Sequence, residues 1–296
     1  MALMYGNIMA AEEQTTRPIV ENGLTSDTVF IPGVTVNFDT IEKNGVRYAL
    51  KETNEASVDP SVAGTNGYHF TNADEALVQI VCNNQVSEGI RLYGVQEAAV
   101  PFDMKAYQME RLVKNIITPS IQKQGLAALA YEGQVIQSGG VADTTQLTTA
   151  NIKDYLLGVR TALRKSKVSS DKLICLVSPE IFALIVKVAG SEFDGSLRNE
   201  LNMNGNVGRW LGFTILECNM IGDTVKYVDY SGTLRTVNTA DIDFICYSWD
   251  TLYEDVLVSL LKLQQAVTFN GSEVVSDFVT GWRIGTAAKT AIKKNA

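Results

Sequence analysis

The chain has 296 residues, of which 46% are hydrophobic, and a formal net charge of −8. This length and apolar content allow a substantial core and exclude wholesale disorder. The acidic balance disfavours a protein whose main role is to grip nucleic acid, because basic side chains that neutralise phosphates supply most of that affinity. No apolar stretch reaches the ~20 residues of a membrane span, so no membrane role is expected.

The four cysteines, Cys82, Cys175, Cys218 and Cys246, lie far apart in the sequence and form no C-x-x-C pair. Three of them fall in apolar, strand-like runs, which predicts buried, reduced thiols. A zinc site needs clustered ligands, and the chain has a single histidine, His69. The sequence therefore predicts no metal and no cofactor.

The first 70 residues read as extended chain. Residues 1–27 are polar and weakly patterned, which is typical of an arm, and alternating apolar residues from Val34 onward predict a strand. Asn44-Gly45 is a turn signal, and a second strand-like stretch follows it. The polar stretch after residue 50 is too long for an ordinary connection in a compact core. We interpret residues 34–70 as a two-stranded projection.

Two predicted strands, at 76–81 and 90–95, precede a long predicted helix with Asp103 as its N-cap. Pro119 lies inside the helical pattern and should kink the helix, which Gly133 ends. The apolar stripe of this helix comprises Met109, Leu112, Val113, Ile116, Ile117 and Ile121.

The second half predicts mixed α/β structure. A helix with the stripe Ile152, Tyr155, Leu156, Val159 and Leu163 precedes a buried strand at 173–177 and a helix capped by Ser178. Further predicted strands are 213–217, a hairpin of 226–230 and 233–237, 242–247, and 277–287, whose Gly281 and Gly285 indicate kinks or bulges. Residues 252–263 mix periods and are not assigned.

Polar side chains in several places invite a functional interpretation. Lys289, Lys293 and Lys294 are interpreted as a solvated basic tail, with weak nucleic-acid contact as the alternative. Solvated faces or caps explain the close carboxylate pairs Glu12-Glu13, Asp74-Glu75, Asp241 with Asp243, and Glu254-Asp255.

Motifs of nucleotide-binding loops, zinc proteases and serine hydrolases do not occur in the chain. His69 lies in the predicted projection, which offers no rigid scaffold for catalysis. No catalytic residue is expected.

The order and spacing of elements resemble the capsid proteins of tailed phages. In residues 149–221 a helix leads to a strand, a capped helix, a glycine-containing loop, a strand and a turn. The segments that carry the resemblance are Ser178-Pro179-Glu180, Gly212-Phe213-Thr214-Ile215, Cys218-Asn219-Met220-Ile221, Val100-Pro101-Phe102-Asp103 before the long helix, and Gly281-Trp282-Arg283-Ile284-Gly285, where Ile284 replaces the usual tyrosine.

This resemblance implies an α+β fold of the Hong Kong phage type, shared with the herpesvirus capsid floor. It implies a major capsid protein, not an enzyme, that self-assembles into an icosahedral head shell around double-stranded DNA. The implied parts are an N-terminal arm (1–27), an extended β-hairpin loop with flanking strands (28–72), a peripheral domain with a long spine helix (73–135), an axial α/β domain (136–240), and return strands that complete both domains (241–296).

The resemblance also implies partners and a location. The chain would associate with itself in pentamers and hexamers, and would contact DNA weakly and without sequence specificity. The 27 residues before the first strand leave no room for a built-in scaffold, so a separate scaffolding protein and a portal are expected. The location would be the virion, with assembly in the host cytoplasm. Subunit-contact candidates in the extended loop are Lys43, Asn44, Arg47, Tyr48 and Lys51.

Three alternatives stay open at this point. An encapsulin-like bacterial compartment would use the same fold around cargo enzymes. An unrecognised α/β enzyme would stay small in solution, and a sheath or tail protein is a weaker possibility. Some capsid proteins form covalent Lys–Asn crosslinks, and Lys43 and Lys51 lie in the extended loop. Nothing in the sequence identifies an asparagine partner or a catalytic acid, so this activity is not carried over to the chain. Residues 43–66 are expected to gain hydrogen-exchange protection on assembly.

Overall fold

The computed structural model describes residues 29–36, 46–50, 77–86, 89–94, 104–192, 208–265 and 270–295. These residues form two five-stranded sheets, three two-stranded ribbons and four α-helices, which confirms the predicted α+β class. The helices are α1 (Met104–Leu112), α2 (Thr118–Glu132), α3 (Ile152–Lys165) and α4 (Pro179–Glu192). The strands are β1 (Val34–Thr35), β2 (Val46–Leu50), β3 (Leu77–Val81), β4 (Asn83–Val86), β5 (Ile90–Tyr93), β6 (Gln137–Ser138), β7 (Val141–Ala142), β8 (Leu173–Val177), β9 (Arg209–Trp210), β10 (Phe213–Glu217), β11 (Thr224–Val228), β12 (Leu234–Asn238), β13 (Ile242–Ser248), β14 (Leu252–Gln265), β15 (Gly271–Ile284) and β16 (Thr290–Lys294).

The predicted long helix is present but interrupted. Helices α1 and α2 are joined by a π-helical turn over Val113–Ile117. Pro119 accounts for the interruption, since proline has no N–H to donate to the carbonyl four residues back. The N–H of Thr118 instead donates to the carbonyl of Val113, five residues back. We call the whole segment, residues 104–132, the spine helix.

The π-helical turn changes which side chains the spine helix buries. A turn with one extra residue shifts the apolar face by one position. Leu112, Ile117 and Ile121 are fully buried, whereas Ile116 is 41% exposed. The prediction that Ile116 belongs to the buried stripe was therefore wrong, because it assumed an uninterrupted 3.6-residue period.

One sheet, which we call the ribbon sheet, is built on the long antiparallel pair β14–β15. Strand β1 lies parallel to β14, and β4 and β5 both pair with β15. Residues 252–263, which the sequence pattern did not assign to a helix or a strand, thus belong to strand β14. Strand β15 begins earlier and ends earlier than predicted, at Gly271 and Ile284. The irregularity in this pair lies between Val258 and Leu260, not at Gly281.

Gly281 lies where strand β15 closely approaches strand β3. An added Cβ would lie 2.9 Å from both the Ile80 Cγ2 and the Val81 carbonyl oxygen, so only glycine fits where β15 passes over β3. Strand β2 pairs with β3, with Tyr48 opposite Gln79. This corrects the predicted projection, in which the strand before Asn44-Gly45 was expected to pair with β2. That earlier strand, β1, joins the ribbon sheet instead.

The other sheet, which we call the mixed sheet, has the order β16-β13-β8-β10-β9. Strands β8 and β10 are parallel and are connected through α4, while β13 and β16 run antiparallel to their neighbours. Ser178 caps α4 as predicted, since its Oγ accepts from the N–H of Ile181 at 3.4 Å.

Alternation of side chains along the mixed sheet explains why β8 is buried on both faces. Successive residues of a strand point to opposite sides of the sheet. Ile174 and Leu176 pack in one cluster with the spine helix, whereas Cys175 and Val177 pack in another with α3 and α4. The mixed sheet therefore lies between the spine helix and the α3–α4 layer.

The predicted hairpin at 226–237 is confirmed as β11–β12. Its turn contains Gly232 at φ +78°, where glycine is favoured. Asp229 accepts hydrogen bonds from the N–H groups of Ser231 and Thr233 and so holds the turn closed. The hairpin packs against α2, since Val225, Tyr227 and Val237 share a cluster with Leu126.

Two predicted solvated carboxylate faces are buried instead. Glu254 and Asp255 lie on β14, which has β1 and β15 on its two sides, and are 5% and 1% exposed. Asp243 is buried on β13, and burial raises its pKa. The four cysteines are buried, as predicted.

Candidate functional site

The end of the spine helix is a junction of three elements built around Glu132. Its Oε1 accepts from the Tyr227 hydroxyl at 3.0 Å and from Arg283 Nη1 at 2.6 Å, and its Oε2 accepts from the N–H of Ile284 at 3.0 Å. The carboxylate is 7% exposed. A negative charge at a helix C-terminus is disfavoured by the helix dipole, and these three donors and the Arg283 charge offset that cost.

Aromatic rings and guanidinium groups surround this junction. Arg283 lies over the ring of Tyr230 at 4.1 Å, and Arg235 lies over the ring of Tyr131 at 5.5 Å. Tyr131 also meets Tyr227 edge-on, with 5.9 Å between ring centroids. Such contacts add directional attraction to the packing of the hairpin on α2.

Ionisation in the junction is set by burial and hydrogen bonding. Burial raises the pKa of Tyr227, and the neighbouring Glu132 raises it further, so the phenol stays a donor. For Asp229, burial alone would raise the pKa, but donors from Ser231, Arg235 and Thr233 outweigh it and hold the pKa well below its usual range. Arg235 Nε donates to Asp229 Oδ2 at 2.7 Å.

A second junction ties the last strand to the segment before α3. Lys293 is fully buried, and its Nζ donates to the Asp143 backbone carbonyl at 2.5 Å and lies 3.4 Å from Asp143 Oδ1. Asp143 in turn accepts from the N–H of Thr145 and the hydroxyl of Tyr155. The Thr145 backbone N–H, then its side chain and Tyr155, lower the pKa of Asp143 well below its usual range.

This second junction corrects the prediction of a solvated basic tail. Lys289 and Lys293 are buried, and Lys294 pairs with Asp241 at 2.6 Å. The lysines belong to β16 and the turn before it, which form the edge of the mixed sheet. Neither a solvated tail nor a free phosphate-binding patch fits this placement, because Lys289 and Lys293 are buried, and the amines of Lys293 and Lys294 face carboxylates and carbonyls of the same chain.

A groove of about 800 Å³ runs between the start of α2 and strand β11. Ile116 and Leu234 expose apolar surface on it, at 41% and 62%. Lys123 lines the same groove and pairs with Asp223 at 2.7 Å. The groove is open to solvent, and both apolar and polar side chains line it.

No group of three metal-ligating side chains occurs among the residues that the structure describes. Within the same part of the chain, no helix is both long enough and apolar enough to cross a membrane.

The sequence matches no protein-family model and no curated protein. Its structure is similar to solved structures from phages and from a GTA particle. The capsid structure of the cyanophage P-SCSP1u has a TM-score of 0.59 at 14% identity, over 91% of this chain and 90% of that one. Mycobacterium phage Che8 has a TM-score of 0.61 at 12% identity over 86% and 85%. The capsid of an empty GTA particle has a TM-score of 0.61 at 11% identity over 92% and 94%.

The chain has the Hong Kong phage type capsid fold. The fold predicted from the order and spacing of motifs between residues 100 and 285 is therefore confirmed, although sequence identity to these three structures is at most 14%.

The predicted contact residues of the capsid fold are only partly described. Lys43, Asn44 and Lys51 lie outside the described residues, as do the arm (1–27), His69 and the Val100-Pro101-Phe102-Asp103 segment. Arg47 and Tyr48 lie on β2, opposite Ile80 and Gln79 of β3.

Neither junction, around Glu132 or around Lys293, was predicted from the sequence. One signal was present: Glu132 ends a helix where the dipole favours a basic residue, which indicates a tertiary partner. Strand β16 also carried a signal, since the β-branched residues Thr290 and Ile292 favour a strand. Neither signal identifies the partner, because Arg283 and Asp143 lie about 150 residues away in sequence.

Proposed function

We propose that this chain is the major capsid protein of a tailed phage and self-assembles into the icosahedral head shell around double-stranded DNA. The observation that carries the proposal is the capsid fold, which is shared over about nine-tenths of the chain with the cyanophage and GTA particle capsids.

The long elements of the fold suit contacts with neighbouring subunits. Strands β14 and β15 have 14 residues each, which corresponds to about 45 Å of extended chain. The spine helix corresponds to about 40 Å. Elements of this length offer extended surfaces to neighbouring subunits, and repeated heterologous contacts between identical chains form closed rings when the rotation between them closes. The subunits would associate as pentamers and hexamers.

We propose that Lys43, Asn44, Arg47, Tyr48 and Lys51 contact neighbouring subunits, as the resemblance implies for the extended loop (28–72). The peripheral domain would comprise 73–135, the axial domain 136–240, and the segment 241–296 would complete both. The sheet topology supports the last of these assignments. Strands β13 and β16 of this segment pair in the mixed sheet, while β14 and β15 pair in the ribbon sheet.

The remaining partners follow from the same proposal. A scaffolding protein and a portal would act during assembly in the host cytoplasm, and the finished protein would reside in the virion. The role would be structural and not enzymatic. Enclosed DNA would be contacted weakly, since the subunit is acidic and Lys289, Lys293 and Lys294 are engaged within the chain.

Assembly tests the proposal directly. The chain would be expressed alone and with its scaffolding protein, and would be analysed by light scattering and negative-stain electron microscopy. We expect closed shells, or capsomers that convert to shells with scaffold. A monodisperse ~32 kDa monomer under all conditions would refute the proposal.

The loop contacts have a sharper test. The double variant R47E/Y48A should lower the yield of shells while circular dichroism of the subunit stays as in the wild type. Full assembly of this variant would refute the proposed contacts of Arg47 and Tyr48, while the proposed capsid role would stand.

An encapsulin-like compartment is the alternative of the same fold. Its gene would adjoin a cargo enzyme gene, whereas a head-shell gene adjoins portal and terminase genes. The similar capsids of phages and a GTA particle favour the head shell.

A further inference from the structure

Two buried cysteines meet across the centre of the mixed sheet. Cys175 on β8 lies directly opposite Cys246 on β13 in the antiparallel register. Their Sγ atoms are 3.1 Å apart, and both side chains are fully buried among the residues of the α3–α4 layer. The cysteines therefore occupy the same face of the sheet with their sulfurs in contact.

The backbone hydrogen bonds show which kind of position the pair occupies. The N–H of Ser178 donates to the Asp243 carbonyl at one end of the ladder, and the N–H of Trp249 donates to the Lys172 carbonyl at the other. Hydrogen-bonded and non-hydrogen-bonded pairs alternate along an antiparallel ladder. Counting inward from either end places Cys175 and Cys246 at a non-hydrogen-bonded position.

The Cα separation typical of such a position falls within the range that disulfides span. Cα atoms of a non-hydrogen-bonded pair are ~4.5 Å apart, and disulfides span Cα distances of ~4.4–6.8 Å. The two sulfurs already lie side by side, so a bond needs side-chain adjustment and no change of register.

We propose that Cys175 and Cys246 form a cross-strand disulfide when the chain folds in an oxidising medium, which makes the pair a site of covalent modification. With oxidised glutathione as the oxidant, one cysteine thiolate attacks a glutathione sulfur and releases one glutathione thiolate. The second cysteine thiolate then attacks the mixed disulfide and releases the other. The two cysteine protons pass to the released thiolates, and glutathione takes the two electrons.

Burial determines when this bond can form. It raises the pKa of Cys246, so the folded protein contains little of the reactive thiolate. The bond therefore forms as the sheet assembles, and afterwards the closed core protects it from reductants. Cys218 and Cys82 belong to other hydrophobic clusters and serve as internal controls.

Thiol mapping tests the proposal. The full chain would be made by cell-free synthesis in an oxidising glutathione buffer, alkylated with N-ethylmaleimide in denaturant, digested and analysed by mass spectrometry. We expect two alkylated cysteines and one linked peptide pair that contains Cys175 and Cys246. C82S and C218S should retain this link, and C175S and C246S should lose it. Four alkylated cysteines, or links to Cys82 or Cys218, would overturn the proposal.

Unfolding in urea gives a second readout. The link would join residues 71 positions apart and so restrict the unfolded chain. The oxidised wild type should unfold at a higher urea midpoint than the same protein made in reducing buffer, while C175S should show equal midpoints in the two buffers. A lower midpoint for the linked protein would show that the native sheet does not accommodate the bond, and would also overturn the proposal.

Discussion

Arg283 on strand β15 and Glu132 at the end of the spine helix form an ion pair of 2.6 Å across 151 residues of sequence. Glu132 also binds Tyr227 of the hairpin, so one carboxylate holds the ribbon sheet, the spine helix and the hairpin together. The three elements also share one hydrophobic cluster, so Glu132 adds a polar link to an apolar contact.

Substitution E132A should lower the free energy of unfolding by about 2–3 kcal/mol, because it leaves partly buried donors without their acceptor. Urea denaturation of the subunit measures the change. Glu110 on α1 offers a matched control, since it pairs with Lys114 four residues along the exposed helix surface. E110A should cost no more than about 0.5 kcal/mol. Equal effects of the two variants would contradict the assigned role of Glu132.

The adjacent lysines of β16 should behave differently. K293A removes a buried charge that binds Asp143 and should cost about 3 kcal/mol. K294A breaks a partly exposed pair with Asp241 and should cost less than about 1 kcal/mol. K293M keeps the apolar stem and should cost less than K293A. Urea denaturation ranks the three variants. If K294A lowers the free energy of unfolding most, the burial of Lys293 is wrong.

Asp143 should make stability depend on pH. Its pKa in the folded state lies below the usual range, chiefly because the N–H of Thr145 donates to it. A lowered folded-state pKa stabilises the protein above the unfolded value of ~3.9, and this stability is lost as the pH falls below that value.

Wild-type urea midpoints should therefore fall more between pH 6 and pH 3 than those of D143N, which has no carboxylate to protonate at this site. D154N, at an exposed position on α3, should follow the wild type. If D143N also follows the wild type, Asp143 is not a source of the acid sensitivity.

Two glycine-to-alanine substitutions should change the stability of the subunit in opposite directions. G281A places a Cβ against Ile80 and Val81 and should destabilise the subunit by about 1–3 kcal/mol. Gly158 lies exposed in α3 with nothing within 4 Å of its added Cβ. G158A should stabilise by roughly 0.5–1 kcal/mol, because alanine is the better helix former. Thermal or urea unfolding distinguishes the signs, and a tolerated G281A would mean that β3 and β15 are not in close contact.

Assembled empty shells should bind duplex DNA only weakly and without sequence preference. The subunit carries a net charge of −8, and Lys289 and Lys293 are buried. Filter binding at about 150 mM salt should show affinities within the usual non-specific range of ~10⁻⁴–10⁻⁶ M. Sub-micromolar affinity would indicate a basic lining that the charge balance does not reveal.

Local pattern alone was sufficient for most of the elements. Strand β8 and helices α3 and α4 follow from apolar spacing and from the Ser178 cap, since these signals act within a few residues. The order of these elements and the motifs between them were also sufficient for the fold, because capsid proteins repeat that order.

Tertiary structure decided the partners and the exposure of several side chains. Strand β2 pairs with β3 because hydrogen bonding between strands depends on which edge lies nearby, which a turn signal at Asn44 does not determine. Lys293 is buried because a carboxylate 150 residues away in sequence neutralises its charge. Ile116 is exposed because the π-helical turn shifts the helix phase. Burial, charge pairing and strand register at these positions depend on contacts between residues far apart in the sequence. The local sequence pattern therefore does not determine them.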